Sequence, residues 1–191
     1  YGSALSLWNF AQGHRPGTTL VRVYNPRFEE QGWKADHTIV EIVTDDMPFL
    51  VDSGTVLLQA KELAVHLVIH PVVKLKRDKD GAILGIEEED ADGADITATS
   101  CMHFEVNEQT DPELLTDIET SLAAVYSDVR AAVEDWPRMR QAATDEIASL
   151  RKSSKASPAE PEEIAEAADF LQWLHDDHFI FLGYRDYLYP A

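Results

Sequence analysis

Between His37 and His70 the chain runs HTIVEIVTDDMPFLVDSGTVLLQAKELAVHLVIH, a stretch that reads as strand, loop, helix and strand. Ile39, Val40, Ile42 and Val43 are β-branched, and their stiff side chains suit a pleated surface better than a helix. Residues 38–44 are therefore expected to form a buried strand. Proline pushes the residue before it toward extended backbone and is tolerated in the first turn of a helix, so a helix should start near Pro48. From there Phe49, Ser53, Val56, Ala60 and Leu63 recur at helical spacing with Leu50 and Leu57 beside them, while Asp52, Thr55, Gln59 and Glu62 fall opposite. After Leu63 the period changes to two. Val65, Leu67, Ile69, Val73 and Leu75 alternate with His66, Val68, His70, Val72 and Lys74, which predicts one long strand with one face on the core.

A helix joining two strands over this length predicts a right-handed crossover, with the strands parallel in one sheet but not necessarily neighbours. The strand-to-helix loop is where a ligand would sit. Free amides and the dipole at a helix start favour an anion, and Asp45 and Asp46 supply charge for a cation. An α-amino acid carries both charges. The structural alternative is that Asp46 caps the helix and Asp45 is solvated.

The 191 residues fit one domain with appendages or two small ones, and a hydrophobic content of 45% is enough for a core. A net charge of −19, with no basic patch beyond Lys74, Lys76 and Arg77, argues against a nucleic-acid or anionic-membrane surface. The single cysteine, Cys101, has no partner for an internal disulfide, which fits a reducing cytosol, and its place among Met102, Phe104 and Val106 predicts core filling. There is no run of about 18 apolar residues and no signal peptide with a basic start. The sequence starts at Tyr1 rather than Met, as expected of a piece of a longer protein.

Around the central stretch, residues 1–19 read as a short helix and turn, 20–24 as a strand, and 28–36 as connecting loop. Ala82 to Ile86 returns as a short strand after the Asp78–Gly81 turn, and Glu87 to Asp95 is an acidic loop. Cys101 to Asn107 alternates as a strand, with Met102, Phe104 and Val106 on one face. Leu115, Ile118, Leu122, Val125, Val129, Ala132 and Trp136 make a sustained helical stripe starting at Asp111-Pro112. Pro137 should kink or end that helix, leaving 137–152 as a helical extension. Residues 153–161, SSKASPAEP, read as a linker, and 162–191 as a helix and then a strand, Phe179 to Tyr184, leading into the next domain of a longer chain. The order predicts an α+β sandwich of the ferredoxin-like kind over 20–136, with helices on one face of a mainly antiparallel sheet and a C-terminal helical extension. The usual last strand is missing after the second helix, and the strand at 20–24 is a candidate for its edge position.

Catalytic and metal chemistry find little support. On a strand, His66 and His70 lie about 13 Å apart, too far to chelate together, and His103 with Glu105 would have to cross the sheet to join them. Glu88, Asp90, Asp92 and Gly93 start like a calcium loop, but the closing acid is replaced by Thr99. His175-Asp176-Asp177-His178 reads as a frayed helix end, and Ser53 has no histidine placed to activate it. No glycine-rich phosphate cradle follows a strand. No catalytic residue, no metal ligand and no cofactor site are therefore assigned within these residues.

Taken together, LVRVYNP (20–26), HTIVEIVTDDMPFLVDS (37–53), HLVIHPV (66–72), VRAAVEDWPRMR (129–140) and FLQWLHDDHFIFLGYRDY (170–187) resemble the N-terminal region of the large bacterial NAD-specific glutamate dehydrogenases. The resemblance implies a cytoplasmic homo-oligomer that oxidatively deaminates L-glutamate to 2-oxoglutarate and ammonia with NAD. It places the catalytic core and nicotinamide site in a downstream domain of the same chain. The region also resembles ACT-type regulatory modules, which bind amino acids near the loop between first strand and first helix. By that resemblance an amino-acid effector would meet Asp45, Asp46, Met47, Pro48, Phe49, Leu50 and Asp52, with Phe49 standing where many ACT modules have glycine. Glycine there lets backbone approach a ligand closely, so Phe49 favours packing over binding. The alternative is a scaffold that assembles subunits through the sheet face or edge, without a ligand.

Overall fold

A computed structural model describes residues 1–153, 161–185 and 187. Nearly all of the expected linker lies outside the described residues. The chain divides into two compact units, residues 1–129 and 130–191.

The first unit is a six-stranded sheet in which every pairing is antiparallel. The strands are β1 (Thr19–Tyr24), β2 (His37–Asp45), β3 (Val65–Ile69), β4 (Val72–Arg77), β5 (Ile83–Ile86) and β6 (Ile96–Asn107). Their order is β1-β2-β6-β4-β5, with β3 beside the far half of β6. Because β2 and β3 are both antiparallel to β6, which lies between them, they run parallel. This is the crossover that the central stretch predicted, made by α3 (Leu50–Ala60). β1 takes the open edge beside β2, Thr19 facing Thr44 and Tyr24 facing Ile39, which is the position left by the missing last strand.

Strand alternation divides the sheet into two faces. Val40, Ile42, Met102, Phe104 and Val106 share one of them, where they form a core with Leu50 and Leu58 of α3 and with Ile118, Leu122 and Tyr126 of α4 (Pro112–Ser153). On the other face α1 (Gly2–Ala11) lays Ala11 against Val43 and Cys101, with Leu7 and Phe10 packing nearby. That face also holds a polar rung. Glu41 is fully buried and accepts hydrogen bonds from Arg22 Nε at 2.8 Å and from the Tyr24 hydroxyl at 3.3 Å. His103 Nδ1 lies 3.4 Å from the same carboxylate.

In the first unit four expectations are corrected. The predicted long strand is two, broken at His70-Pro71, because proline has no amide to give to the ladder with β6. A bulge between Val65 and Leu67 also moves Val68 opposite Phe104, so the odd-numbered residues do not share one face. The buried stripe of α3 is Leu50, Gly54 and Leu58, while Phe49, Val56 and Ala60 are exposed. The loop expected at 28–36 contains a single helical turn, α2 (Phe28–Gln31), closed by Gly32 in the left-handed conformation.

In the second unit α4 continues past Pro137, since losing one amide in a 42-residue helix leaves the neighbouring turns bonded. Met139 and Ile147 of α4 are buried, as are Ile164 and Ala168 of α5 (Pro161–Trp173). Arg140 donates to the Asp177 carboxylate at 3.0 Å and to the His175 carbonyl at 3.1 Å, holding the wide turn Leu174–His178 that ends α5. The strand expected at Phe179–Tyr184 is not one: the segment pairs with no strand among the described residues. No helix among the described residues is long and apolar enough to cross a membrane.

Candidate functional site

Asp45 ends β2 and Asp46 follows it, so alternation sends their carboxylates to opposite sides of the sheet. Asp45 Oδ2 accepts the Gly17 amide at 2.7 Å, and Oδ1 lies 3.9 Å from His14 Nε2. It ties the turn after α1 to the end of β2. Asp46 turns the other way and accepts the Ser100 hydroxyl at 2.6 Å. A hydroxyl has one proton, so with that proton on Asp46 the 2.9 Å contact from His70 Nε2 to Ser100 is donated by the imidazole. The backbone adds a bond from the Asp46 amide to the Ala98 carbonyl at 3.0 Å. Asp46, Ser100 and His70 thus join the β2–α3 loop to the break between β3 and β4.

Met47 packs on the core and Leu50 is buried within it, the latter's carbonyl accepting the Tyr126 hydroxyl at 3.1 Å. Asp46, Pro48, Phe49 and Asp52 are exposed around the start of α3. Of the seven expected site residues, these four share one open surface; Met47 and Leu50 are core, and Asp45 belongs to the opposite face.

No side chain caps α3, so its first-turn amides and the positive end of its dipole are available to an anion. Phe49 is the N-cap residue, with φ 72° and ψ 3°, and is 40% exposed. It keeps the left-handed backbone that glycine would supply at this position and does not plug the loop. An L residue with a bulky side chain pays about 1 kcal/mol or more for that conformation. Phe49→Gly is therefore expected to raise stability by up to about 1 kcal/mol, read by urea unfolding; a loss of stability would mean that the ring's packing outweighs the backbone strain.

A concavity of about 220 Å³ lies on the α1 face between Leu7, Trp8, Ile69 and Val73, with Cys101 and His103 also lining it. It offers no charged anchor for a zwitterion, because His103 is held between Glu41 and Glu105, at 3.4 and 3.5 Å. Cys101 is buried there, and loss of solvation pushes its thiol from 9.0 up to about 11. Between those values the folded chain holds a proton that the unfolded chain has released. Stability from this group is therefore full below pH 9 and lost as pH rises toward 11, and Cys101→Ala should remove that part of the alkaline fall in a melting series.

The three histidines weighed as metal ligands are engaged separately: the His66 ring lies tilted against His37 with centroids 4.7 Å apart, His70 meets Ser100, and His103 sits between the two glutamates. Two groups with structural consequence had little sequence signal. Ser100 stands at a core-facing place in the β6 alternation, where a serine calls for a polar partner. Arg77 reads as part of a small basic patch, yet it is 4% exposed and bonded to His14.

Comparison with known proteins places the chain in a family. A family described as "Glutamate dehydrogenase, ACT1 domain" matches residues 1–122. An NAD-specific glutamate dehydrogenase of Halomonas elongata is 38% identical over 187 residues, covering 98% of this chain and 12% of that protein. The Pseudomonas aeruginosa enzyme of the same description is 33% identical over 186 residues, 97% of this chain and 11% of that protein. A Mycobacterium tuberculosis enzyme, also so described, is 26% identical over 146 residues, 76% of this chain and 9% of its own length. The chain thus spans about a tenth of the length of the curated relatives it matches.

Proposed function

The chain belongs to the glutamate dehydrogenase ACT1 domain family, and from that membership we propose that it is the N-terminal regulatory region of an NAD-dependent glutamate dehydrogenase. The whole protein would convert L-glutamate, NAD and water to 2-oxoglutarate, ammonia and NADH, as a cytoplasmic homo-oligomer. These residues do not fit NAD themselves. A dinucleotide site of the doubly wound kind needs neighbouring parallel strands and a glycine-rich turn, whereas every strand pairing here is antiparallel. Hydride transfer then belongs to the downstream catalytic domain, and this region senses an amino acid.

One observation carries the sensing reading: an uncapped helix start lies beside an exposed acid that Ser100 holds in place. The α3 amides suit the α-carboxylate of an amino acid, and Asp46 suits its ammonium group. Calorimetry of the 191-residue chain against a panel of L-amino acids tests this. Binding that weakens at least tenfold in Asp46→Ala and in Ser100→Ala is expected; silence across the panel, or binding untouched by Asp46→Ala, would remove the reading.

A scaffolding role has its own support in β3. That strand pairs only with β6 among the described residues, and Leu67, Val68 and Ile69 are between 37% and 47% exposed along it. An apolar strand with an open edge is a template for another strand. On this reading sedimentation finds an oligomer whose state does not change with any amino acid.

A further inference from the structure

Resting on the reading that this chain is a region of a longer polypeptide, we propose that Phe179–Tyr184, with the aromatic end of α5, is the docking surface for the polypeptide that follows, where it becomes an interior strand of a sheet. The segment leaves α5 extended, Phe179 having φ −146° and ψ 144°. Phe179, Ile180, Leu182 and Tyr184 are 58%, 51%, 70% and 61% exposed, and Phe170 and Trp173 at the end of α5 are 58% and 50% exposed with rings stacked 6.2 Å apart. Large apolar side chains exposed at this density along one short stretch mark an interaction surface rather than ordinary solvent-facing chain.

Alternation fixes what kind of partner fits. In an extended chain Phe179 and Phe181 lie on one side, and Ile180, Leu182 and Tyr184 on the other, so both sides are apolar. A strand at a solvated sheet surface alternates apolar with polar; one apolar on both sides belongs in a sheet covered on both faces. It pairs with no strand among the described residues. In the relatives this region is about a tenth of the polypeptide and lies at its N-terminal end, so the chain that continues from it is always within reach. Covalent linkage gives that polypeptide a high effective concentration, which favours it over a second copy.

Hydrogen exchange on the 191-residue chain and on the full-length protein tests the proposal. The amides of residues 180–184 are expected to exchange at least 100-fold more slowly in the full-length protein. Leu182→Asp should abolish that protection while Leu182→Ile keeps it, and neither should move the melting of the 191-residue chain. Equal exchange in both proteins would overturn the proposal, as would a concentration-dependent dimer of the 191-residue chain that Leu182→Asp dissolves. Glutamate turnover is read separately. A protected segment in a protein without that activity would overturn the enzyme assignment alone, and an active enzyme with an unprotected segment would overturn the docking alone.

Discussion

Arg77→Ala is expected to destabilise the sheet unit by about 3 kcal/mol or more, since an acceptor left buried without its donor costs about 1–3 kcal/mol and this guanidinium serves several. The guanidinium is 4% exposed, and each of its five donors has an acceptor. Nε donates to Thr97 Oγ1 at 2.8 Å, Nη1 to the carbonyls of His14 and Gly81 at 3.0 and 2.9 Å, and Nη2 to His14 Nδ1 at 2.9 Å and Thr99 Oγ1 at 3.2 Å. Accepting at Nδ1 leaves the His14 proton on Nε2, which lies 3.1 Å from the Thr18 carbonyl. One side chain therefore holds β4, β6, the β4–β5 turn and the segment after α1 in a single arrangement. Truncation would leave the Thr97 and Thr99 hydroxyls, His14 Nδ1 and the Gly81 carbonyl without this donor, while the His14 carbonyl keeps the bond from Arg15 Nη1 at 2.9 Å. Arg77→Lys keeps the charge but not the planar fork, so it should recover only part of the loss. Lys76→Ala, one residue away with a side chain 45% exposed, should stay within about 0.5 kcal/mol. Urea unfolding of the three variants checks the order, and a cost below about 1 kcal/mol for Arg77→Ala would mean that the network contributes little.

Arg77 also marks the limit of what the sequence reveals. The crossover was legible because four β-branched residues, a proline and a helical stripe are local signals, and local propensity here agrees with the fold. The edge place of β1 was only a candidate in the sequence: a sheet of this order has one vacancy, but no local signal says which strand fills it, and that pairing is seen only in the register of Thr19–Tyr24 on β2. Arg77 was not legible, because a lysine-and-arginine cluster looks the same whether its members face water or a buried histidine 63 residues earlier in the chain. Phe179–Tyr184 failed for the opposite reason: its composition suits a strand, but a strand needs a partner and the segment pairs with none among the described residues. At the candidate site the loop was found, yet its division was not. Asp45 and Asp46 look like a pair in sequence, and it is the pleat, with Gly17 on one side and Ser100 on the other, that separates them. Phe49 was expected to pack in glycine's place and instead holds glycine's backbone while staying half exposed.

Gly54→Val is expected to cost about 3 kcal/mol or more, and even Gly54→Ala about 1–2 kcal/mol, by overpacking where no neighbour can yield cheaply. The sign is what makes this informative. In the middle of a helix, alanine normally gains about 1 kcal/mol over glycine, so an ordinary site would be stabilised. Here a Cβ on Gly54 would lie 2.3 Å from the Tyr126 hydroxyl and 3.4 Å from Phe104 Cζ. Tyr126 is 1% exposed and held by its bond to the Leu50 carbonyl, and Phe104 is fully buried in the central strand β6, so α3 itself would have to move away from the sheet. That movement would reach the first turn of α3, where Asp46, Phe49 and Asp52 meet. Tyr126→Phe removes the oxygen and opens room at the cost of one hydrogen bond, so Gly54→Ala combined with Tyr126→Phe should cost less than the two single changes added together. A cycle of urea midpoints measures the coupling. Strict additivity, or a Gly54→Ala variant more stable than the parent, would mean that α3 sits further from β6 than these distances require, and its first turn would then not be rigidly placed over the strand end.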